Sequence, residues 1–165
     1  MRRGDREVTD PERIREIIAD CDCCHVALWD GEKPYLVPLN FGYTEKGGGR
    51  SFYFHTAREG KKLTLMREHP LVGFQLDTHH ELKTAAAAAG YSYYYSSITG
   101  SGFLQEVTDP AEKEEALSLL MEQMTGRRAG WDFAPCMAAT CVLRLTVQEL
   151  CAKENRAPAK CEVSD

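Results

Sequence analysis

The chain has 165 residues, 43% of them hydrophobic and 27% charged, with a formal net charge of −5; that length and apolar share suit one globular domain with a real core. The acidic balance argues against a general nucleic-acid binder, which carries a basic face, and no apolar run approaches the roughly 20 residues of a membrane span. The N-terminal Met1, Arg2, Arg3, Gly4 and Asp5 have no apolar stretch behind them of the kind a signal peptide needs, so the expected location is the cytoplasm.

Two segments open alike, Val8-Thr9-Asp10-Pro11 and Val107-Thr108-Asp109-Pro110. In each, Asp can cap a helix whose first turn holds Pro, where the missing N–H costs nothing. The match reads as shared helix-start chemistry, not as an internal repeat. The first helix places Ile14, Ile17 and Ile18 on one face. Strands then follow at His25–Trp29 and Tyr35–Tyr43, flanking Asp30-Gly31, a hairpin signal. Pro38 inside the second removes a ladder donor and implies an edge or a bulge. Glycines 47 to 49 turn the chain into Ser51–His55. A short helix from about Gly60 to Glu68 stops before Pro70, and Leu71–Leu76 reads as another strand.

Ala85–Ala89 is too short to hold a helix alone and reads as a loop or a single turn. Tyr91–Val107 is long and rich in β-formers, with Gly100 and Gly102 as bulge or close-approach points. A late helix carries Ala116, Leu117, Leu120, Met121 and Met124 on one face and ends near Gly126. Cys141–Val147 alternates as a last strand, and the tail after Glu149, with Asn155, Pro158 and Lys160, looks frayed. The expectation is a mainly β domain over residues 1–153 with flanking helices, six mostly antiparallel strands closing into a small barrel, and a flexible tail over 154–165.

The seven cysteines are an odd number and are expected to be reduced. Cys21, Cys23 and Cys24 beside His25 hint at metal binding, but structural zinc uses two separated pairs. Buried or incidental thiols are the default, and no metal is assigned. Ser51–Lys62 holds a more pointed signal. Thr56 offers a hydroxyl, Gly60 permits close approach, and Lys61 and Lys62 put charge at a helix start, where the dipole repels cations but favours a phosphate. The competing reading is a solvated basic turn. His55, at the strand's end, is either a partly buried residue satisfied by backbone or a titratable group beside a cofactor.

Taken in order, these pieces resemble the flavin-binding split-barrel superfamily named after pyridoxamine 5′-phosphate oxidase, on its branch related to nitroimidazole-resistance flavoproteins. The likeness is carried by residues 1–10, 34–43, 53–62, the spacing of Tyr91, Ser92, Tyr95, Ser97, Ile98, Gly100 and Gly102, and the helix over 109–124. It implies a six-stranded antiparallel split β-barrel and a homodimer that holds FMN at the subunit interface. It implies that Val37, Pro38, Leu39 and Asn40 lie along the isoalloxazine ring. His55 and Thr56 would contact the ring or ribityl chain, Lys61 and Lys62 the phosphate, and Tyr95 and Ser97 the same cleft, with Trp131 covering it from the partner.

The chain departs from that pattern where the branch carries a Cys and an Arg near the central strand. Gly90 and Ser96 stand there instead, beside the unusual Tyr93-Tyr94-Tyr95 run. The activity implied is an FMN-dependent oxidoreductase, nitroreductase-like or pyridoxamine 5′-phosphate oxidase-related, that reduces a small aromatic acceptor of the nitroaromatic or quinone type, with His55 as the catalytic proton donor or orienting group. The alternatives are a flavin- or haem-binding module without turnover, with His25, His55, His69, His79 and His80 as possible axial ligands, and a thiol or metal sensor built on Cys21–Cys24.

Overall fold

A computed structural model describes residues 4–157. Eight strands form one antiparallel sheet: β1 (Glu7–Val8), β2 (Cys24–Trp29), β3 (Pro34–Leu39), β4 (Gly42–Lys46), β5 (Gly49–Ala57), β6 (Leu71–Lys83), β7 (Ser92–Glu106) and β8 (Thr140–Asn155). The helices are α1 (Pro11–Ala19), α2 (Lys61–Glu68), α3 (Pro110–Thr125) and the short α4 (Ala134–Met137). The strand order is β3-β2-β6-β7-β8-β5-β4, with β1 added on β8.

The expected single strand over Tyr35–Tyr43 is two strands, which with β1 raises the count from six to eight. The break falls at Asn40-Phe41. Asn40 donates its amide to the Asp22 carbonyl at 3.0 Å, and Phe41 turns fully into the core. The halves then join opposite ends of the strand order, β3 on β2 and β4 on β5. Three residue steps, at most about 11 Å, connect those ends, so the sheet must curl into a barrel left unzipped between β3 and β4. Pro38 sits on the edge strand β3, as its missing N–H requires.

The barrel interior is filled by inward residues of alternate phase, among them Val26, Leu28, Phe52, Phe54, Phe74, Leu76, Ile98, Leu143 and Leu145, with Ile14, Ile17 and Ile18 of α1 plugging one end. Phe52 is a hub, its ring 5.5 Å from Phe41, 5.1 Å from Tyr43 and 5.2 Å from Phe74. A second cluster packs α3 on the outside of β5 and β8 through Tyr53, Val142, Ala116, Leu117, Leu119 and Leu120. Leu119 takes the place expected of Met124, which is exposed.

Both Asp-Pro helix starts form as expected, Asp10 accepting from the Glu12 N–H and Asp109 from the Glu112 N–H. Strand β7 keeps close to its expected span. Side chains on Gly100 and Gly102 would fall onto the carbonyl oxygens of Glu149 and Thr146 on β8. A register shift opposite Ser101-Gly102 leaves Gln148 of β8 unpaired. Beyond it β8 continues to Asn155, so residues 149–155 are paired strand and not a frayed tail. Pro158, Lys160 and Cys161 lie outside the described residues. Among the described residues no helix is long and apolar enough to cross a membrane.

Candidate cofactor-binding site

Strand β5 ends in a loop that reaches α2 through Gly60, whose φ of 135° is a conformation L side chains rarely adopt. No side chain caps α2; the Leu63 N–H bonds the Gly60 carbonyl at 3.0 Å, which leaves the N–H groups of Lys61 and Lys62 as the orphan donors of the helix start. The two lysines that follow differ. Lys61 pairs with Asp30 of the β2–β3 turn at 3.1 Å and sits 4.8 Å above the Tyr35 ring. The Asp30 carboxylate accepts first from the Lys33 and Glu32 N–H groups and then from Lys61, and its pKa drops to about 2. Lys62 is half-buried, and burial pushes its ammonium below the ordinary pKa; it makes no ion pair among the described residues. An unpaired, partly desolvated cation at an uncapped helix start is a donor set that fits a phosphate monoester.

Strand geometry separates the other expected residues by face. Thr56 lies opposite Cys141 and shares the inner phase of Phe52 and Phe54, whereas His55 lies opposite Val142 and shares the outer phase of Tyr53. His55 is exposed. Val37 and Leu39 lean on the barrel core. Pro38 faces outward beside His25, whose Nδ1 is buried without a hydrogen-bond partner.

Tyr95 and Ser97 occupy outward positions on β7, in phase opposite to the buried Ser96 and Ile98. The Tyr95 hydroxyl accepts from Arg6 at 3.4 Å. Trp131 lies in the loop between α3 and α4, its ring under the Arg127 guanidinium at 3.9 Å and its Nε1–H donating to the Arg127 carbonyl. Arg58, from the loop before Gly60, fastens the far end of that segment by donating to the Ala138 carbonyl at 2.7 Å. The structure thus gathers Thr56, Gly60, Lys61 and Lys62 around one loop. No hydrogen bond or ring contact ties Tyr95, Ser97 or Trp131 to it among the described residues.

Three features escaped the sequence reading. One is the Asp30 tie on Lys61. A second is the outward-facing apolar band of Trp29, Leu36, Leu71 and Phe103, each 44–60% exposed, on neighbouring rows of β2, β3, β6 and β7. Its signal was available, since these large apolar residues stand out of phase with the core positions of their strands. The third is a polar cluster around Ser96. The cysteines follow the expected default: Cys21 and Cys24 are buried, and burial, aided by Asp77, pushes the Cys21 thiol up to about 12. Among the described residues no three potential ligands are grouped to hold a metal.

Comparison with known proteins agrees with this architecture. No curated protein matches the chain. A structure described as a candidate 5-nitroimidazole antibiotic resistance protein from Bacteroides thetaiotaomicron is 28% identical, with a TM-score of 0.76 over 90% of this chain and 86% of that one. The flavocytochrome Anf3 from Azotobacter vinelandii, 21% identical, superposes with a TM-score of 0.77 over 96% of this chain and 73% of that one. An FAD and haem binding protein from Mycobacterium smegmatis, 20% identical, gives 0.77 over 92% and 74%; these last two establish likeness of fold. The family profile described as pyridoxamine 5′-phosphate oxidase matches residues 10–154, and the chain, a split barrel with its phosphate-fitting helix start, belongs to that family.

Proposed function

We propose that the protein is an FMN-dependent oxidoreductase, a homodimer with the flavin at the subunit interface, that reduces a small aromatic acceptor of the nitroaromatic or quinone type. The observation that carries the reading is Lys62, a half-buried cation without an ion pair at an uncapped helix start. An anion there relieves both defects at once. Membership of the family and the 28% likeness to the nitroimidazole-resistance protein support the flavin and the acceptor class. FMN, when bound, supplies the electron chemistry.

The chain's own residues do the rest. Lys62 and the first N–H groups of α2 hold the phosphate, Thr56 adds a hydroxyl beside it, and Lys61 stays with Asp30 as a brace between α2 and the β2–β3 turn. Residues Val37 to Asn40 offer an edge-strand backbone to a planar ring. His55, exposed at the end of β5, is the proton donor. The band of Trp29, Leu36, Leu71 and Phe103 is the surface a second copy would bury, since these exposed apolar residues lie on adjoining strands and not singly.

The test is the purified protein itself. It should elute as a dimer, carry up to one FMN per chain, and consume reduced nicotinamide cofactor only when a nitroaromatic or quinone is added. A monomer with stoichiometric FMN would overturn the interface. Bound FAD in the released-flavin assay would correct the cofactor, and an intense Soret band would favour the haem module that two fold neighbours' names suggest.

A further inference from the structure

His79 is the one non-glycine residue with positive φ among the described residues, at 58°. It lies in the register break of β6 between Thr78 and Glu81. Beyond that break β6 pairs only with β7, through Glu81 with Tyr94, Leu82 with Tyr93 and Lys83 with Ser92. On the other sides, β2 leaves β6 at Gln75 and β8 ends opposite Tyr95. Residues 81–94 are therefore a two-stranded arm, and such a hairpin is marginal without further support. Its support is concentrated at its root.

There His79 spans two elements. Its Nδ1 meets Ser96 Oγ at 3.1 Å, and its Nε2 meets Asp20 Oδ2, at the end of α1, at 3.0 Å. Thr78 adds a bond to the Asp20 carbonyl. Ser96 is buried and donates to Glu154 at 2.8 Å. Glu154 also accepts from Arg13 and Arg156. Burial opposes its ionisation, but the bonds from Arg13, Ser96 and Arg156 outweigh burial and hold it below its ordinary pKa.

The protons can now be counted. Ionised Glu154 only accepts, so it takes the single hydroxyl proton of Ser96, which leaves Ser96 an acceptor toward His79. Asp20 is an acceptor too. With the hydroxyl so placed, both ring nitrogens of His79 face acceptors, and only the imidazolium can donate to both at once. The other charged and titratable groups around the recess are Arg13 from α1, Glu81 from β6, Tyr94 and Tyr95 from β7, and Arg156 after β8. Of these, Arg13 and Arg156 are taken up by Glu154, and no bond joins Glu81 to the ring. The adjacent His80 pairs separately with Asp77 at 2.7 Å.

We propose that His79 is a proton-operated clasp at the root of the β6–β7 arm: doubly protonated, it ties the arm to α1 and to the Ser96–Glu154 pair, and loss of one proton releases one tie and loosens the arm. The inference stands apart from the flavin reading.

The test is hydrogen exchange on the full chain as purified, followed between about pH 5 and 8, where an imidazole changes charge, and expressed as protection relative to intrinsic rates. Long-range nitrogen–proton correlation reads the His79 protonation state in the same samples. Protection over residues 81–94 should fall about three- to tenfold as His79 loses its proton, the scale of one charged hydrogen bond discounted for exposure, while residues 98–104 stay unchanged. Asp20→Asn should abolish the dependence, because an amide can accept from the charged ring or donate to the neutral one. His79→Asn, which tolerates positive φ and cannot titrate, should abolish it too. His80→Gln should leave it intact. Protection that is flat in pH while His79 titrates, an equal pH dependence in Asp20→Asn, or a neutral His79 with a fully protected arm would each overturn the clasp.

Discussion

The three long helices begin in two different ways. α1 and α3 start on Asp-Pro, with Asp10 and Asp109 each accepting a first-turn N–H at 3.1 and 2.9 Å. There the chain satisfies its own orphan donors and sets a carboxylate at the positive end of the dipole. α2 starts on Gly60 with no cap and follows it with two cations. Left alone, that arrangement is unfavourable twice over, through unpaired N–H groups and through like charge at the dipole's positive end. α1 and α3 thus carry their own capping carboxylate, whereas α2 brings only glycine and cations to its start, the setting in which we propose that an anion binds.

Four substitutions test the two kinds of helix start. The largest effect is expected just upstream, on chemistry and not on binding: His55→Ala should keep its FMN while turnover per bound flavin drops about 10²–10⁴-fold, the range for general acid–base catalysis. A mutant that loses flavin but turns over normally when loaded would make His55 a lining residue only. Next, Lys62→Ala should weaken FMN by roughly 1.5–3 kcal/mol, the worth of a charge-assisted contact, and riboflavin hardly at all. Equal losses by calorimetry for the two ligands would place the phosphate elsewhere.

At a capped helix the same logic runs the other way. Asp109→Ala should lower stability in urea unfolding by about 1 kcal/mol with FMN affinity intact, and a loss of affinity matching that of Lys62→Ala would erase the distinction between helix starts. The smallest effect belongs to Lys61. Its replacement by Ala should cost less than about 1 kcal/mol of FMN affinity, since it is exposed and already paired. Acid probes that brace. Asp30 has a folded pKa of about 2 against an ordinary 3.8, so its contribution is complete above the ordinary value and is lost as pH falls toward about 2. Amide shifts of Glu32 and Lys33 should follow that window in the wild type and be flat in Asp30→Asn.

Much of the fold was legible because local chemistry and tertiary outcome agree. Asp-Pro starts, the Gly126 stop and the apolar phase of α1 each need only neighbours along the chain. Where a single residue shifts the phase, legibility ends. The unpaired Gln148 moves the inward positions of β8 from Leu143, Leu145 and Val147 to Leu150, Ala152 and Glu154, so a continuous strand looks like a frayed tail. The run Tyr35–Tyr43 conceals its break, because β-formers continue across it and only the path of Phe41 into the core divides it. At the site, composition pointed to the two lysines but could not tell them apart. What separates them is Asp30, 31 residues away in sequence from Lys61.

Strand β8 also sets the order in which the molecule assembles. It pairs with β1, β5 and β7, so it alone joins the β4–β5 hairpin to the β3-β2-β6-β7 half of the sheet. Until it emerges during synthesis, β5 and β7 both present open edges, and α3 has β4 and β5 beneath it but lacks β8. Such late, non-local closure makes for slow folding and exposes strand edges to intermolecular pairing. A chain ending before Thr140 should therefore yield two unjoined sheets prone to aggregate, and not a smaller barrel.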